Sequence, residues 1–208
     1  MNKIIVIDGP VAAGKGTLAK KIAAFFGMPY LNTGALYRAV GLYMLKNCTA
    51  EDITDEDKVL SMARMIDFSN LDNPDLYLEE VGAIASKVAA GQKLRSFLAK
   101  MQVDFAHQDG GAVLDGRDIG TVICPEASYK FFVTASVEER AKRRYKEMIL
   151  KNESVDYNEI LSSIKERDKR DSERAKSPLK KAEDAIEIDT TNMGIDEVFA
   201  HVLSFIKF

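Results

Sequence analysis

The sequence predicts an α/β fold in which helices cover both faces of a parallel sheet, and three observations predict it. Short β-branched runs alternate with segments of helical periodicity along most of the chain. The first run, Ile4-Ile5-Val6-Ile7, is apolar at every position, as a strand buried on both faces must be. A glycine-rich loop, Gly9 to Thr17, joins that strand to the first helical pattern. At 208 residues, with 46% apolar and 29% charged, the chain has the length of one domain and the composition of a globular one, which excludes disorder as its general state.

Each element follows in order. The first strand ends at Asp8-Gly9-Pro10. Leu18, Ile22 and Phe25 then recur at i, i+4 and i+7, a stripe that can pack on the sheet, and Gly27 with Pro29 stops the helix. Leu36, Val40 and Tyr43 predict a second helix capped by Asn32 or Thr33. Asp55 to Met65 is helical in pattern, and Ser69 to Pro74 is polar and has no assigned structure. Leu94, Leu98, Met101 and Phe105 mark a clear amphipathic helix. Strands are expected at Ala112 to Asp115, Lys130 to Thr134 and Ala185 to Asp189, with helices over Val137 to Leu150 and Ile195 to Phe208. No internal repeat of fixed period is visible.

Several functions are disfavoured by composition. Two cysteines, Cys48 and Cys124, are too few for a disulfide framework, and neither they nor His107 and His201 have metal-ligand spacing. The apolar runs are too short to span a bilayer, and Met1 to Asp8 enters a strand rather than a basic, hydrophobic leader, so a cytoplasmic protein with no membrane partner is expected. A formal charge of −3 argues against a protein that coats nucleic acid. The charge is uneven, however: Glu138 to Lys181 carries 14 Lys/Arg against 10 Asp/Glu.

Gly9-Pro10-Val11-Ala12-Ala13-Gly14-Lys15-Gly16-Thr17 has the spacing G-x-x-x-x-G-K between a strand and a helix, the context that a phosphate-binding loop requires. Glycines let the backbone curl until successive N–H groups point at an anion. The helix N-terminus adds positive potential, and Lys15 supplies a mobile ammonium for the outer phosphates. The loop makes the expected fold a P-loop NTPase-type sheet. Gly16 follows the lysine, so the first hydroxyl comes one residue late, on Thr17; in this the loop resembles the G-K-G-T variant of nucleotide kinases, which implies a magnesium ion held mainly by phosphates and water. Asp115, at the C-terminal edge of a buried strand, is the candidate carboxylate for such an ion, through water. Asp8 ends the first strand in the same way, and for it metal and turn roles stay open.

Two basic segments complete the pattern. Arg140, Arg143 and Arg144 stand at i, i+3 and i+4, on one helical face. Arg167, Asp171 and Arg174 stand at i, i+4 and i+7. Ile160, Leu161 and Ile164 give that second helix an apolar side, yet Lys165 to Lys176 contains nothing apolar larger than alanine. Beside a polyphosphate loop, such a surface is suited to an anionic ligand, because phosphoryl transfer is catalysed by aligning the reactants and spreading charge over fixed cations. The two helices, about 137 to 178, are expected to form a short helical lid that closes on the nucleotides and excludes water.

At this point the chain resembles the bacterial cytidylate kinase family of P-loop nucleoside monophosphate kinases. The likeness rests on Ile7-Asp8-Gly9-Pro10 through Thr17, Thr33-Gly34-Ala35-Leu36-Tyr37-Arg38, Asp115-Gly116-Arg117-Asp118-Ile119-Gly120-Thr121-Val122, Ser136 to Arg144, and Arg167-Asp168-Lys169-Arg170-Asp171 through Arg174 to Ser177-Pro178-Leu179. The resemblance implies ATP and CMP or dCMP as substrates, Mg2+ as cofactor, one domain over 1–208 working as a monomer, and an acceptor-binding insert over about 33–108. It implies a phosphate cage for the acceptor from Arg38, Arg117 and Arg174, with ribose contacts from Tyr37, Arg167 and Asp171. Thr33 joins these acceptor-binding positions. It further implies base contacts from Ser86, Arg95 and Asp118. Lys15, Arg117, Arg140, Arg144 and Arg174 form the expected catalytic set, and Asn192 is placed near adenine by fold analogy.

The chemistry of the base agrees with that set. Cytosine presents an amino donor beside ring-nitrogen and carbonyl acceptors, so serine and carboxylate can accept while a guanidinium donates. Adenine lacks the carbonyl, which makes Arg95 the residue for pyrimidine selection. The chain departs from the family in having Asn32-Thr33 where Asp-Ser or Ser-Ser is usual, and in shortening the strand-rich part of the insert to about Asp67 to Glu80. Two rival readings are a kinase of the same fold for another nucleoside monophosphate or a small metabolite, and a nucleotide-dependent nucleic-acid-binding ATPase. The second is disfavoured because the basic residues alternate with acids and have no aromatic stripe beside them.

Overall fold

The structure is a computed structural model that describes residues 3–150 and 155–207. The chain divides into two compact units, 1–31 with 106–208, and 32–105.

The first unit is built on the expected sheet. Strands β1 (Ile4–Asp8), β2 (Tyr30–Asn32), β3 (Ala112–Gly116), β4 (Tyr129–Thr134) and β5 (Ile186–Asp189) lie in the order β2-β3-β1-β4-β5, and β1 pairs parallel with both β3 and β4, as β4 does with β5. Every residue of β1 and β3 is buried, which is why both read as unbroken apolar runs up to their terminal Asp or Asp-Gly. Helices α1 (Lys15–Phe26) and α8 (Ile195–Leu203) lay Leu18, Ile22, Val198 and Val202 against Ile5, Ile7, Val113, Phe131 and Ile188 to form the main core. Helices α6 (Val137–Leu150) and α7 (Tyr157–Glu173) pair through a smaller core of Ala141, Met148, Ile160 and Ile164, on which Val11 and Ala12 of the phosphate loop also pack.

The second unit is helical throughout: α2 (Thr33–Asn47), α3 (Glu56–Ala63), α4 (Glu79–Val88) and α5 (Gln92–Ala106), with a single helical turn at Pro74–Tyr77 in the shortened part of the insert. Asn32 caps α2, its side chain accepting from the Ala35 N–H at 3.2 Å, and Asp55 caps α3. Ala39, Leu42, Leu76 and Val81 form its core with Phe68 and Tyr77.

Three elements differ from expectation. Strand β2 is three residues long, too short for alternation to show, and α4, which buries Val81, Ile84 and Ala85, lies where no element is expected from the sequence. Helix α8 stops at Leu203 rather than running on, because Lys207 is drawn to β4: its N–H donates to the Tyr129 hydroxyl at 3.0 Å, and that hydroxyl donates to the Lys207 carbonyl. The expected end of that helix, Phe208, lies outside the described residues.

Candidate active site

The phosphate loop is shaped by two glycines. Gly9 has φ 149°, and a Cβ there would lie 1.9 Å from the Val133 carbonyl of β4, so only glycine lets the chain leave the sheet at this point. Gly14, at φ 87°, adopts the left-handed turn that starts α1, and Ala12 is also left-handed at φ 58°. Lys15 is buried and donates to the Pro10 carbonyl at 2.6 Å. Burial pushes its ammonium well below the usual lysine range, the Arg117 cation pushes the same way, and Asp115 and Asp8 oppose them. A polyphosphate arriving here would supply the missing counter-charge. Thr17 is exposed on α1.

Asp115, at the end of β3, is buried, and its carboxyl is raised by that burial while Lys15 and a hydrogen bond from Tyr30 lower it. The Tyr30 hydroxyl donates to Asp115 Oδ1 at 2.6 Å and lies 3.5 Å from where a Cβ on Gly16 would stand. Nothing in the three-residue strand β2 marked Tyr30 in advance. Among the described residues no cluster of three or more His, Cys, Asp or Glu could enclose a metal ion. Asp8 faces elsewhere: it accepts from the Ile119 and Gly120 N–H groups at 3.1 and 2.7 Å.

Beyond β3 lies a chain of buried charges. Arg117 donates through Nε to Asp171 Oδ2 at 3.0 Å and through Nη1 to the Gly116 carbonyl at 3.0 Å. Arg174 stands 3.5 Å from Asp118 Oδ1 and 4.0 Å from Asp171 Oδ1. Burial works against an ionised Asp171, but Arg117, Arg167 and Arg174 outweigh it and hold the carboxyl below its usual range. The R-x-x-x-P-L pattern explains itself locally. Helix α7 ends at Glu173, the Leu179 N–H returns to the Asp171 carbonyl at 2.7 Å, and the Arg174 Nε donates to the Ser177 carbonyl, so the turn aims Arg174 back at the cluster. The apolar-poor end of α7 is thus partly buried, through ion pairs instead of hydrocarbon.

The arginines of α6 are also engaged. Arg140, 3% exposed, donates to the Ala135 carbonyl at 2.9 Å, to the Val11 carbonyl of the phosphate loop at 3.1 Å, and to Asp168 at 2.6 Å. It ties α6 and α7 to the loop. Arg143 donates to the hydroxyl and carbonyl of Thr190, and Arg144 pairs with Glu147 at 3.2 Å. Thr190 had no recognisable signal and Asp168 showed only as a motif position, because each acts through a partner far away in sequence. Asn192 is exposed after β5.

Within the second unit, Arg38 donates to the Leu76 carbonyl at 2.7 Å and lies over the Tyr77 ring, 5.6 Å from its centroid. Arg95 is buried, donates to the Ala89 carbonyl at 3.2 Å and stands 5.6 Å from the Tyr37 ring centroid. Ser86, on α4, and Thr33, at the start of α2, are buried.

A sequence model of the cytidylate kinase family, described as "Cytidylate kinase", matches residues 5–208. The chain belongs to the cytidylate kinase family. Among its relatives, the protein named cytidylate kinase from Xanthobacter autotrophicus is 49% identical over 98% of this chain and 97% of its own length. That from Azorhizobium caulinodans is 48% identical over 98% of both chains. The fold also matches the crystal structure of an uncharacterized protein from Eubacterium ventriosum, with a TM-score of 0.54 at 17% identity, covering 99% of this chain and 98% of that one. The phosphate loop and the D-G-R-D and R-D-x-R-D-x-x-R segments on which the resemblance rested form the Lys15 cradle, the Arg117-Asp118 turn and the Asp171-Arg174 cluster.

Proposed function

We propose that this member of the cytidylate kinase family transfers the terminal phosphoryl group of ATP to CMP, and to dCMP, giving ADP and the cytidine diphosphate. The observation that carries the reading is electrostatic convergence in the first unit: the Lys15 ammonium of the phosphate loop lies within the field of Arg117 and Arg167, and Arg117 shares Asp171 with Arg174. Cations are gathered there at a cost in burial that the neighbouring carboxylates offset in part and that an anionic ligand would offset further.

The loop amides and Lys15 hold the β- and γ-phosphates of ATP. Arg117 and Arg174 take the acceptor phosphate, one of whose oxygens attacks the γ-phosphorus as the bond to the ADP oxygen breaks. Charge passes from the attacking to the leaving side, and fixed cations stabilise it without reorganising. Arg38 of the second unit is assigned to the acceptor phosphate as well. The assignments to the cytosine edge are Arg95, Ser86 and Asp118, and those to the ribose Tyr37, Arg167 and Asp171.

Magnesium fits the donor side. A buried carboxylate raised by desolvation, Asp115, is suited to a water-bridged dication, and the late hydroxyl of Thr17 leaves the ion to the phosphates. When bound, Mg2+ neutralises phosphate charge. Arg140 and Arg144 are assigned to the closing of α6 and α7 as a lid, an assignment supported by the separate small core the two helices share. Among the described residues no helix is long and apolar enough to cross a membrane. The same proposal puts the enzyme in the cytoplasm as a monomer acting on free nucleotides.

Release of ADP from ATP and magnesium, measured with CMP, dCMP, UMP and AMP in turn, tests the reading. CMP and dCMP should be the preferred acceptors; a preference for AMP, or no transfer to any of the four, would sink it. Hydrogen exchange across 137–178 should slow when both nucleotides are added.

A further inference from the structure

We propose that Asp8 is a positioning residue for the acceptor side of the site: its carboxylate holds the Arg117-Asp118 segment in register with the phosphate loop. The inference rests on the functional reading above for the roles of Arg117 and Asp118. Strand β3 ends at Gly116, so Arg117 and Asp118 sit on irregular backbone, Asp118 at φ −139° and ψ 21°. The next residues, Ile119–Ile123, form one wide turn closed by the Cys124 N–H on the Ile119 carbonyl at 2.8 Å. Regular pairing therefore fixes neither of the two side chains.

Asp8 supplies the missing anchor. It is 5% exposed and lies at the end of β1, one residue before Gly9. Its two oxygens are divided between two donors, Oδ1 taking the Ile119 N–H and Oδ2 the Gly120 N–H, across 111 and 112 residues of chain. One rigid carboxylate thus joins the start of the phosphate loop to the residue that follows Asp118. Two acceptors are needed, and asparagine offers one, since its amide nitrogen would confront an N–H. Gly120 lies beside the same carboxylate: a Cβ there would stand in van der Waals contact with Asp8 Oδ2 at 3.4 Å and crowd the Lys130 stem at 3.3 Å. The charge is kept even though burial pushes the Asp8 carboxyl up to about 6 against both amide bonds.

The test uses full-length Asp8→Asn and Asp8→Ala, with ATP and CMP varied separately and amide exchange of Ile119 and Gly120 followed without nucleotide. Expected are a tenfold or larger rise in the CMP KM, an ATP KM within twofold of wild type, and at least tenfold faster exchange at Ile119 and Gly120 in Asp8→Asn. Exchange at Ile5 and Val6 should stay unchanged. Equal rises in both KM values would make Asp8 a brace of the phosphate loop and overturn the proposal, as would an unaltered CMP KM. Should Asp8→Ala not fold, the isosteric Asp8→Asn decides. A wild type that makes no CDP would sink the functional reading and not the anchor, which unchanged exchange in Asp8→Asn would overturn by itself.

Discussion

The phosphate loop and the Arg117-Asp118-Asp171-Arg174 cluster do related jobs in opposite ways. The loop binds with backbone, and its whole geometry lies in nine consecutive residues. Its one buried cation, Lys15, donates to a carbonyl and lies in the field of two carboxylates that favour its charge and two arginines that oppose it. The cluster is built of side chains drawn from two segments more than fifty residues apart, and it is internally balanced, each arginine lying against a carboxylate. A backbone cradle can wait for its ligand at little cost, because each N–H is polar and uncharged. A cradle of guanidinium groups needs acids among them, since like charges in a buried space repel strongly.

That contrast can be broken, and the largest effect should come from the loop. Lys15→Met should lower the rate of CDP formation by about a thousandfold, because the lysine acts on charge developed in transfer. Its melting temperature should stay at or above that of wild type, since burial already disfavours the ammonium. A variant that lost its fold along with its activity would make Lys15 structural.

The cluster should respond in reverse, with stability failing first. Asp171→Ala strands Arg117 and Arg174 together and should cost about 3 kcal/mol in denaturant unfolding. Pairing it with Arg117→Ala should recover part of that loss in a double-mutant cycle. Strictly additive effects would show that the ion pair contributes nothing.

Acid should separate the two aspartates that serve these regions. Asp171 is held below its usual range, so its contribution is present above the unfolded carboxyl pKa and is lost as pH falls through its folded value. Asp8 is raised to about 6, so it favours the folded state as pH falls from 6 towards 4 and opposes it above 6. Asp118 adds to that rise and Lys15 opposes it. Asp8→Asn should therefore gain stability relative to wild type as pH rises from 4 to 6, by up to about 3 kcal/mol for a shift of roughly two units. A difference independent of pH would show that Asp8 does not titrate in this range.

The smallest effect belongs to the base site. Arg95→Ala should raise the CMP KM by about tenfold, the equivalent of one charged hydrogen bond, and leave the ATP KM nearly unchanged. Equal changes in both would reduce Arg95 to a packing residue against Tyr37 and the Ala89 carbonyl.

By itself the sequence determined whatever depends on neighbours along the chain. The unbroken apolar run of β1, the Gly9 to Thr17 loop and the stripe of α1 are local patterns whose physics needs no distant partner. The order of the later strands and helices was legible for the same reason, and the R-x-x-x-P-L turn is as local as the loop. Only the tertiary structure decided what Asp8, Tyr30, Arg140, Asp168 and Thr190 touch. Each meets a group dozens of residues away, Asp8 the Ile119 amide, Tyr30 the carboxylate of Asp115, Arg140 the Val11 carbonyl. A buried polar side chain is placed by whichever donor or acceptor the fold brings within 3 Å, and in a parallel sheet that neighbour arrives by a long crossover which periodicity does not record.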